Sequence, residues 1–321
     1  MNELNDSVII DTDPGVDDMF AILSALGSRR IRVKALTTIG GNVGLAQVTR
    51  NALGILAMAG RPDVPVYAGA EGPLSVPLRT ASEVHGADGL QGMALPAPQA
   101  EPGRCTAAEY LCRMARKCPP RSLRVACLGP LTNVALALRM DPGIAELLGQ
   151  VVVMGGGFGT YAVQGQGGAL SSQGNVTEWA EFNIWADAEA AQVVAASGLE
   201  LVFVPLDASH RTLVTEDRLV SIAGLDSWGP RLADTLRAYG AWTRSRCGTA
   251  GGPLHDPNVL AYLEAPELYE TVEATVEVEA GGGPCRGRTT LVEGGRHRVA
   301  LKVDTPGFFE LVQRNLEMAL V

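Results

Sequence analysis

The sequence predicts an α/β fold, with one mostly parallel central sheet and helices packed on both of its faces. Two patterns carry that reading. Short runs that are apolar without alternation recur along the chain, as strands covered on both faces require. Amphipathic stretches of helical period separate those runs, and strand–helix alternation builds a parallel sheet.

Residues 7–11 (S-V-I-I-D) form the first buried strand, and residues 17–26 the helix after it, with Phe20 and Leu23 at helical spacing. Residues 33–39 are the second strand and 47–59 the second helix. Residues 124–127, 151–154 and 201–205 read as further buried strands, and 106–116, 131–138 and 187–196 as helices. After Thr271 the pattern changes to T-V-E-A-T-V-E-V-E, the alternation of a half-exposed strand. Residues 287–292 and 298–303 pair with it as a small antiparallel C-terminal appendage. Residues 305–320 close the chain as a helix, with Thr305 as its cap and Pro306 in its first turn. Segment 155–174, rich in Gly, Gln and Ser, reads as a long mobile loop of the kind that serves as a lid. No linker or internal repeat divides the chain, so residues 1–321 are expected to form one domain.

Composition narrows the function classes. A net charge of −9 and an isoelectric point near 5.0 repel phosphate backbones, so no nucleic-acid partner is expected. The first residues, M-N-E-L-N-D, lack the basic and apolar regions of a secretory signal, and no apolar run is long enough for a bilayer. The six cysteines form no C-x-x-C pair, which argues against a zinc ribbon and suits reduced thiols in a cytoplasmic enzyme.

The chemistry concentrates where the first strand ends. Asp11-Thr12-Asp13-Pro14-Gly15-Val16-Asp17-Asp18 holds four carboxylates in eight residues. Crowded like charges repel, and burial makes the repulsion worse. A cation relieves it, and oxygen-only donors select a hard ion, Ca²⁺ or Mg²⁺, over zinc. Asp17 and Asp18 also suit a helix N-terminus without any metal. No loop glutamate follows at the spacing of an EF-hand. A haloacid-dehalogenase-type phosphatase also opens with D-x-D after its first strand. It would need a phosphate-binding lysine, and no convincing one is present.

The octet is similar to the N-terminal signature of the inosine–uridine-preferring nucleoside hydrolases, and further blocks follow in that family's order. They are Gly40-Gly41-Asn42-Val43, His85-Gly86-Ala87-Asp88-Gly89-Leu90, Gly129-Pro130-Leu131-Thr132-Asn133, Met154-Gly155-Gly156, Gly174-Asn175-Val176-Thr177, Ala180-Glu181-Phe182-Asn183 and His255-Asp256-Pro257. The resemblance spans nearly the whole chain. It implies the single-domain, Rossmann-like nucleoside hydrolase fold. It also implies Ca²⁺-dependent hydrolysis of the N-glycosidic bond of ribonucleosides, giving free base and ribose. The implied Ca²⁺ ligands are the carboxylates of Asp13, Asp18 and Asp256 and the backbone carbonyl of Thr132. Asp13 would also be the general base for a water activated by the metal, with Asn42 orienting that water.

By the same resemblance, Asp17, Asn175, Glu181 and Asn183 would grip the ribose hydroxyls, and Met154 would pack on the sugar. Glu181 and Asn183 also suit a helix-start cap, and Met154 plain core packing. His255 would donate a proton to the leaving base, or else order the pocket rim. His85 would lie near the pocket mouth. Tyr239 and Trp242, three apart on a helix upstream of His255, suit an aromatic wall for the base, or core packing. Trp179 would shape the base site or hold the long loop. A homodimer or homotetramer follows by analogy. Two other readings remain at this point: a non-catalytic nucleoside-binding protein, which would be expected to have lost a ligand, and the same chemistry on another ribosyl metabolite.

Overall fold

The computed structural model describes residues 6–165, 168–225 and 227–320. Its strands in chain order are β1 (Asp6–Thr12), β2 (Ile31–Thr38), β3 (Val66–Ala68), β4 (Leu123–Cys127), β5 (Val151–Met154), β6 (Ala162–Gly165), β7 (Gly168–Ser171), β8 (Leu201–Val204), β9 (Tyr269–Val278) and β10 (Thr289–Val303). Eight of them form one sheet in the order β3-β2-β1-β4-β5-β8-β10-β9. Every neighbouring pair in it is parallel except β10 with β9.

The unbroken apolar runs follow from two cores. In β1, Val8 and Ile10 pack into one and Ile9 into the other; in β8, Val202 and Val204 face one side, Leu201 and Phe203 the other. The first core takes Phe20 of helix Val16–Gly27 and Phe308 of helix Thr305–Ala319. The second takes Leu111 of helix Ala107–Lys117, Val134 of helix Thr132–Met140 and Val194 of helix Ala188–Ala195. A strand buried on both faces has no polar face to alternate with.

Expected and observed helices agree to within two residues at their ends. Thr106 caps its helix in a capping box with Glu109, and Asp187 caps helix Ala188–Ala195 through the Ala190 N–H at 3.0 Å. The last helix has Asp304, one residue before Thr305, in the cap position. The C-terminal pairing is antiparallel as expected, but the two segments expected at 287–292 and 298–303 are one strand, β10, which also joins the central sheet by running parallel to β8. The expected mobile loop at 155–174 contains the hairpin β6–β7 instead. Buried Asp207 ties down its base, accepting from Phe158 N at 2.8 Å, Thr160 N at 2.7 Å, Ser172 Oγ at 2.9 Å and the Thr160 hydroxyl. All six cysteines are free thiols, and among the described residues no helix is long and apolar enough to cross a membrane.

The strand order reverses direction beside β1: β2 lies on one side and β4 on the other. In a parallel sheet the crevice at such a reversal, at the carboxyl ends of the strands, is the natural ligand site. The loops after β1, β2, β4, β5 and β8 all open there.

Candidate active site

After Thr12 the chain turns through Asp13-Pro14-Gly15 into a helix whose first turn carries Asp17 and Asp18. Asp18 is fully buried and accepts from the Thr12 hydroxyl at 2.5 Å, Gly15 N at 2.9 Å and Asn42 Nδ2 at 3.1 Å. Asp13 accepts the Asn42 N–H through Oδ2 at 2.7 Å; its buried Oδ1 has no hydrogen-bond partner. Two glycines make room for that carboxylate. A Cβ on Gly41 would stand 2.0 Å from Asp13 Oδ2, and one on Gly129 2.4 Å from Oδ1.

Asp256 arrives from the far end of the chain. Asn258 fixes its turn by donating from Nδ2 to the Leu254 carbonyl at 2.6 Å and to Thr212 Oγ1 at 3.0 Å. Carboxylate oxygens of Asp17, Asp18 and Asp256 then lie within 4.8 Å of one another. Burial pushes Asp17 up to about 6. Burial, followed by the charges of the neighbouring aspartates, lifts Asp13, Asp18 and Asp256 as well, Asp13 and Asp256 well above the usual carboxylate range. Carboxylates crowded out of water repel unless a cation joins them, and an all-oxygen set suits a hard divalent ion. The unpartnered Asp13 Oδ1 is a free donor atom for such an ion.

Above this floor opens a cleft of about 320 Å³, a size suited to a small ligand. Glu181 is the cap of helix Phe182–Ala186, and its carboxylate accepts from Asn183 N at 2.9 Å, Ile184 N at 3.0 Å and Gly156 N at 3.3 Å. It also lines the cleft, so cap and site are one arrangement. Burial pushes its pKa up to about 7. Asn183 donates to the carbonyls of Leu128 at 2.7 Å and Met154 at 3.2 Å, which leaves its side-chain oxygen for a ligand. Asn175 lines the cleft while its Oδ1 accepts from Phe182 N at 2.9 Å. The Asn42 amide nitrogen is taken up by the Asp13 carbonyl at 3.2 Å and by Asp18.

Three histidines and an aromatic pair line the rest. His85 Nδ1 accepts from Val16 N at 3.1 Å, and its ring lies 5.3 Å from that of Tyr239. Burial draws its pKa down to about 4, against the pull of Asp18. His255 Nδ1 is 2.9 Å from Ser209 Oγ, and burial, then His85, lowers it to about 3. Tyr239 is more than a wall: it is buried, and its hydroxyl reaches Asp17 at 3.4 Å. Trp242 lies half-buried on the same helix with Arg246 over its ring at 4.7 Å.

Most residues singled out from the sequence therefore converge on one place: Asp13 and Asp18 in its buried floor, and Asp17, Asn42, His85, Met154, Asp256 and the others named above on its lining. Two fall outside the lining. Thr132 opens helix Thr132–Met140, and its hydroxyl donates to Asp187 at 2.7 Å; Leu128, just after β4, lines the cleft. Trp179 is replaced there by Trp185, which shares a helix face with Phe182. That i, i+3 aromatic pair was the available signal for Trp185. His210 and Leu170 also line the cleft, brought in by the turn after β8 and by the hairpin, and no local pattern marks them.

Fold and floor together define a class: an α/β protein with a cluster of buried carboxylates beneath a cleft for a small ligand. The profile of the inosine-uridine preferring nucleoside hydrolases matches residues 8–310. The chain belongs to that family, enzymes that act on N-glycosyl bonds of ribonucleosides. It is 37% identical over 317 residues to the pyrimidine-specific ribonucleoside hydrolase RihA of Citrobacter koseri, covering 96% of this chain and 97% of that one. A plant nucleoside hydrolase, PpNRh1, superposes with a TM-score of 0.88 at 33% identity, over 98% of this chain and 99% of the other. The purine-preferring ribonucleoside hydrolase of Gardnerella vaginalis does so with 0.86 at 30%, again over 98% and 99%.

Proposed function

We propose that this protein is a Ca²⁺-dependent ribonucleoside hydrolase that uses Asp13 as its general base. The observation that carries the reading is the buried floor, where carboxylates crowd together and Asp13 keeps one oxygen unpartnered. Asp13, Asp18 and Asp256 would hold the ion, with the backbone carbonyl of Thr132. Bound there, Ca²⁺ would anchor sugar hydroxyls and make a water more acidic.

The protein's own groups do the rest. Asn42 fixes Asp13 through Oδ2, which aims its carboxylate to take a proton from water as the water's oxygen bonds to C1′. The C1′–N bond breaks through an oxocarbenium-like state. Asp17, Glu181, Asn175 and Asn183 hold the hydroxyls, and the nearby carboxylates favour positive charge on the sugar. His255, whose Nδ1 lies 2.9 Å from Ser209 Oγ, would protonate the departing base as an imidazolium and return to the neutral ring. A cytoplasmic homodimer or homotetramer completes the proposal.

Purified protein incubated with Ca²⁺ and a panel of purine and pyrimidine ribonucleosides is expected to release ribose, and EGTA to abolish the release. No ribose from any nucleoside, with Ca²⁺ shown to be bound, would sink the reading. His255→Ala is expected to slow natural nucleosides about 10²- to 10⁴-fold, the usual worth of a positioned acid. It should leave p-nitrophenyl riboside, whose leaving group needs no acid, nearly unaffected. Equal losses on both substrates would rule out the acid role.

A further inference from the structure

The scheme above leaves one buried polar side chain of the cleft without a task. His210 is 1% exposed and lines the cleft, with its ring centroid 5.4 Å from that of His255. Neither of its ring nitrogens makes a well-formed hydrogen bond. Burying such a group unpaired is costly, unless a ligand supplies the partner. Its surroundings place it on the hairpin side of the cleft. It follows the short helix Leu206–Ser209, from which Asp207 binds the base of the hairpin and Ser209 binds His255. Burial, then His255, drives its pKa well below the usual value, opposed by the Ser171 carbonyl on β7. The ring is therefore neutral. The Ser171 carbonyl lies close enough to attract its N–H, though not in good hydrogen-bond geometry. The proton of a neutral imidazole sits on the nitrogen that faces an acceptor, which leaves the other nitrogen as a lone-pair acceptor.

We propose that His210 is a base-recognition residue, whose unprotonated ring nitrogen accepts a hydrogen bond from an N–H on the edge of the nucleobase. This rests on the nucleoside hydrolase reading and deepens it. The sugar-facing groups come from the loops after β1, β2 and β5 and from helix Phe182–Ala186. His210 instead stands beside His255 and the hairpin, where the leaving base would lie. The ligands it favours are bases with a ring N–H, such as uracil and hypoxanthine, over the same bases methylated at that nitrogen.

The test reads base binding separately from catalysis. Free uracil and 3-methyluracil, and hypoxanthine and 1-methylhypoxanthine, are titrated against the intact protein by the fluorescence of Trp185 and Trp242, which line the same cleft. The parent base is expected to bind about 10-fold tighter than its methylated form, one hydrogen bond's worth. His210→Leu should abolish that difference while turning over p-nitrophenyl riboside, which has no base, within about 2-fold of the original rate. His210→Gln, which keeps an acceptor, should restore part of the preference. Unchanged discrimination in His210→Leu would overturn the proposal. So would a matching loss of p-nitrophenyl riboside turnover in both variants, since His210 would then only hold the structure. Base binding by a protein that hydrolyses no nucleoside would sink the hydrolase reading and leave the fate of His210 to the binding comparison.

Discussion

Replacing Asp13 by asparagine is expected to lower kcat on a natural ribonucleoside about 10²- to 10⁴-fold, the usual worth of a positioned general base, while making the metal-free protein more stable. The two effects share one cause. Oδ2 of Asp13 is satisfied by the Asn42 N–H, so the asparagine oxygen would take that place and its NH₂ group the place of the unpartnered Oδ1. The shape is kept, and Gly41 and Gly129 still fit around it. What changes is charge. Burial and Asp18 hold the Asp13 pKa well above the ordinary 3.8. A carboxyl raised in the folded state costs stability once the pH exceeds its unfolded value, so at neutral pH a neutral amide relieves that cost. Melting temperatures with EGTA should rise in Asp13→Asn, whereas added Ca²⁺ should raise the melting temperature of the original protein more than that of the variant. A variant that hydrolyses nucleosides at the original rate would remove Asp13 from the mechanism. A destabilised metal-free variant would mean that the carboxylate is not strained in the floor.

The floor was legible in the sequence because its chemistry is local. Four carboxylates in eight residues, with Pro14 and Gly15 to turn the chain, need no tertiary knowledge to be read as a cation site. The glycine blocks were readable only as a resemblance. Their reason, clearance of 2.0 and 2.4 Å around one carboxylate, exists only once three loops meet. His210 and Trp185 were missed for a related cause: their neighbours in sequence are ordinary, and the cleft makes them special. The hairpin shows the limit of composition as a guide. Gly, Gln and Ser in segment 155–174 lower local propensity, and a buried aspartate at position 207 supplies the order from a distance. The C-terminal alternation after Thr271 marked a strand with one exposed face. Alternation says nothing about the neighbour on the other edge, so the junction of β10 with β8 lay outside its reach.

Glu181 separates a structural role from a functional one, because it performs both. Its carboxylate receives three backbone N–H groups and also faces the cleft. Glu181→Ala is expected to cost about 0.5–2 kcal/mol of stability as a lost cap, and about 10²- to 10⁴-fold in kcat/KM as a lost sugar contact. Were Glu181 a cap alone, the folded fraction would keep its kinetics. The decisive reading is the preference for ribonucleosides over their 2′-, 3′- and 5′-deoxy analogues. A site that pairs each hydroxyl rejects the analogue lacking one, since its buried partner is then left unpaired. In Glu181→Ala one of the three preferences should collapse toward unity while the other two survive. If all three survive, the carboxylate does not touch the sugar. A second signature is the pH dependence of stability. Between 4.5 and about 7 the folded protein keeps on Glu181 a proton that the unfolded chain has released. Stability therefore falls as pH rises through that window, and Glu181→Gln should flatten that part of the slope. The same burial that makes Glu181 costly to ionise removes water from around it, and that is what gives one carboxylate enough leverage to select a hydroxyl.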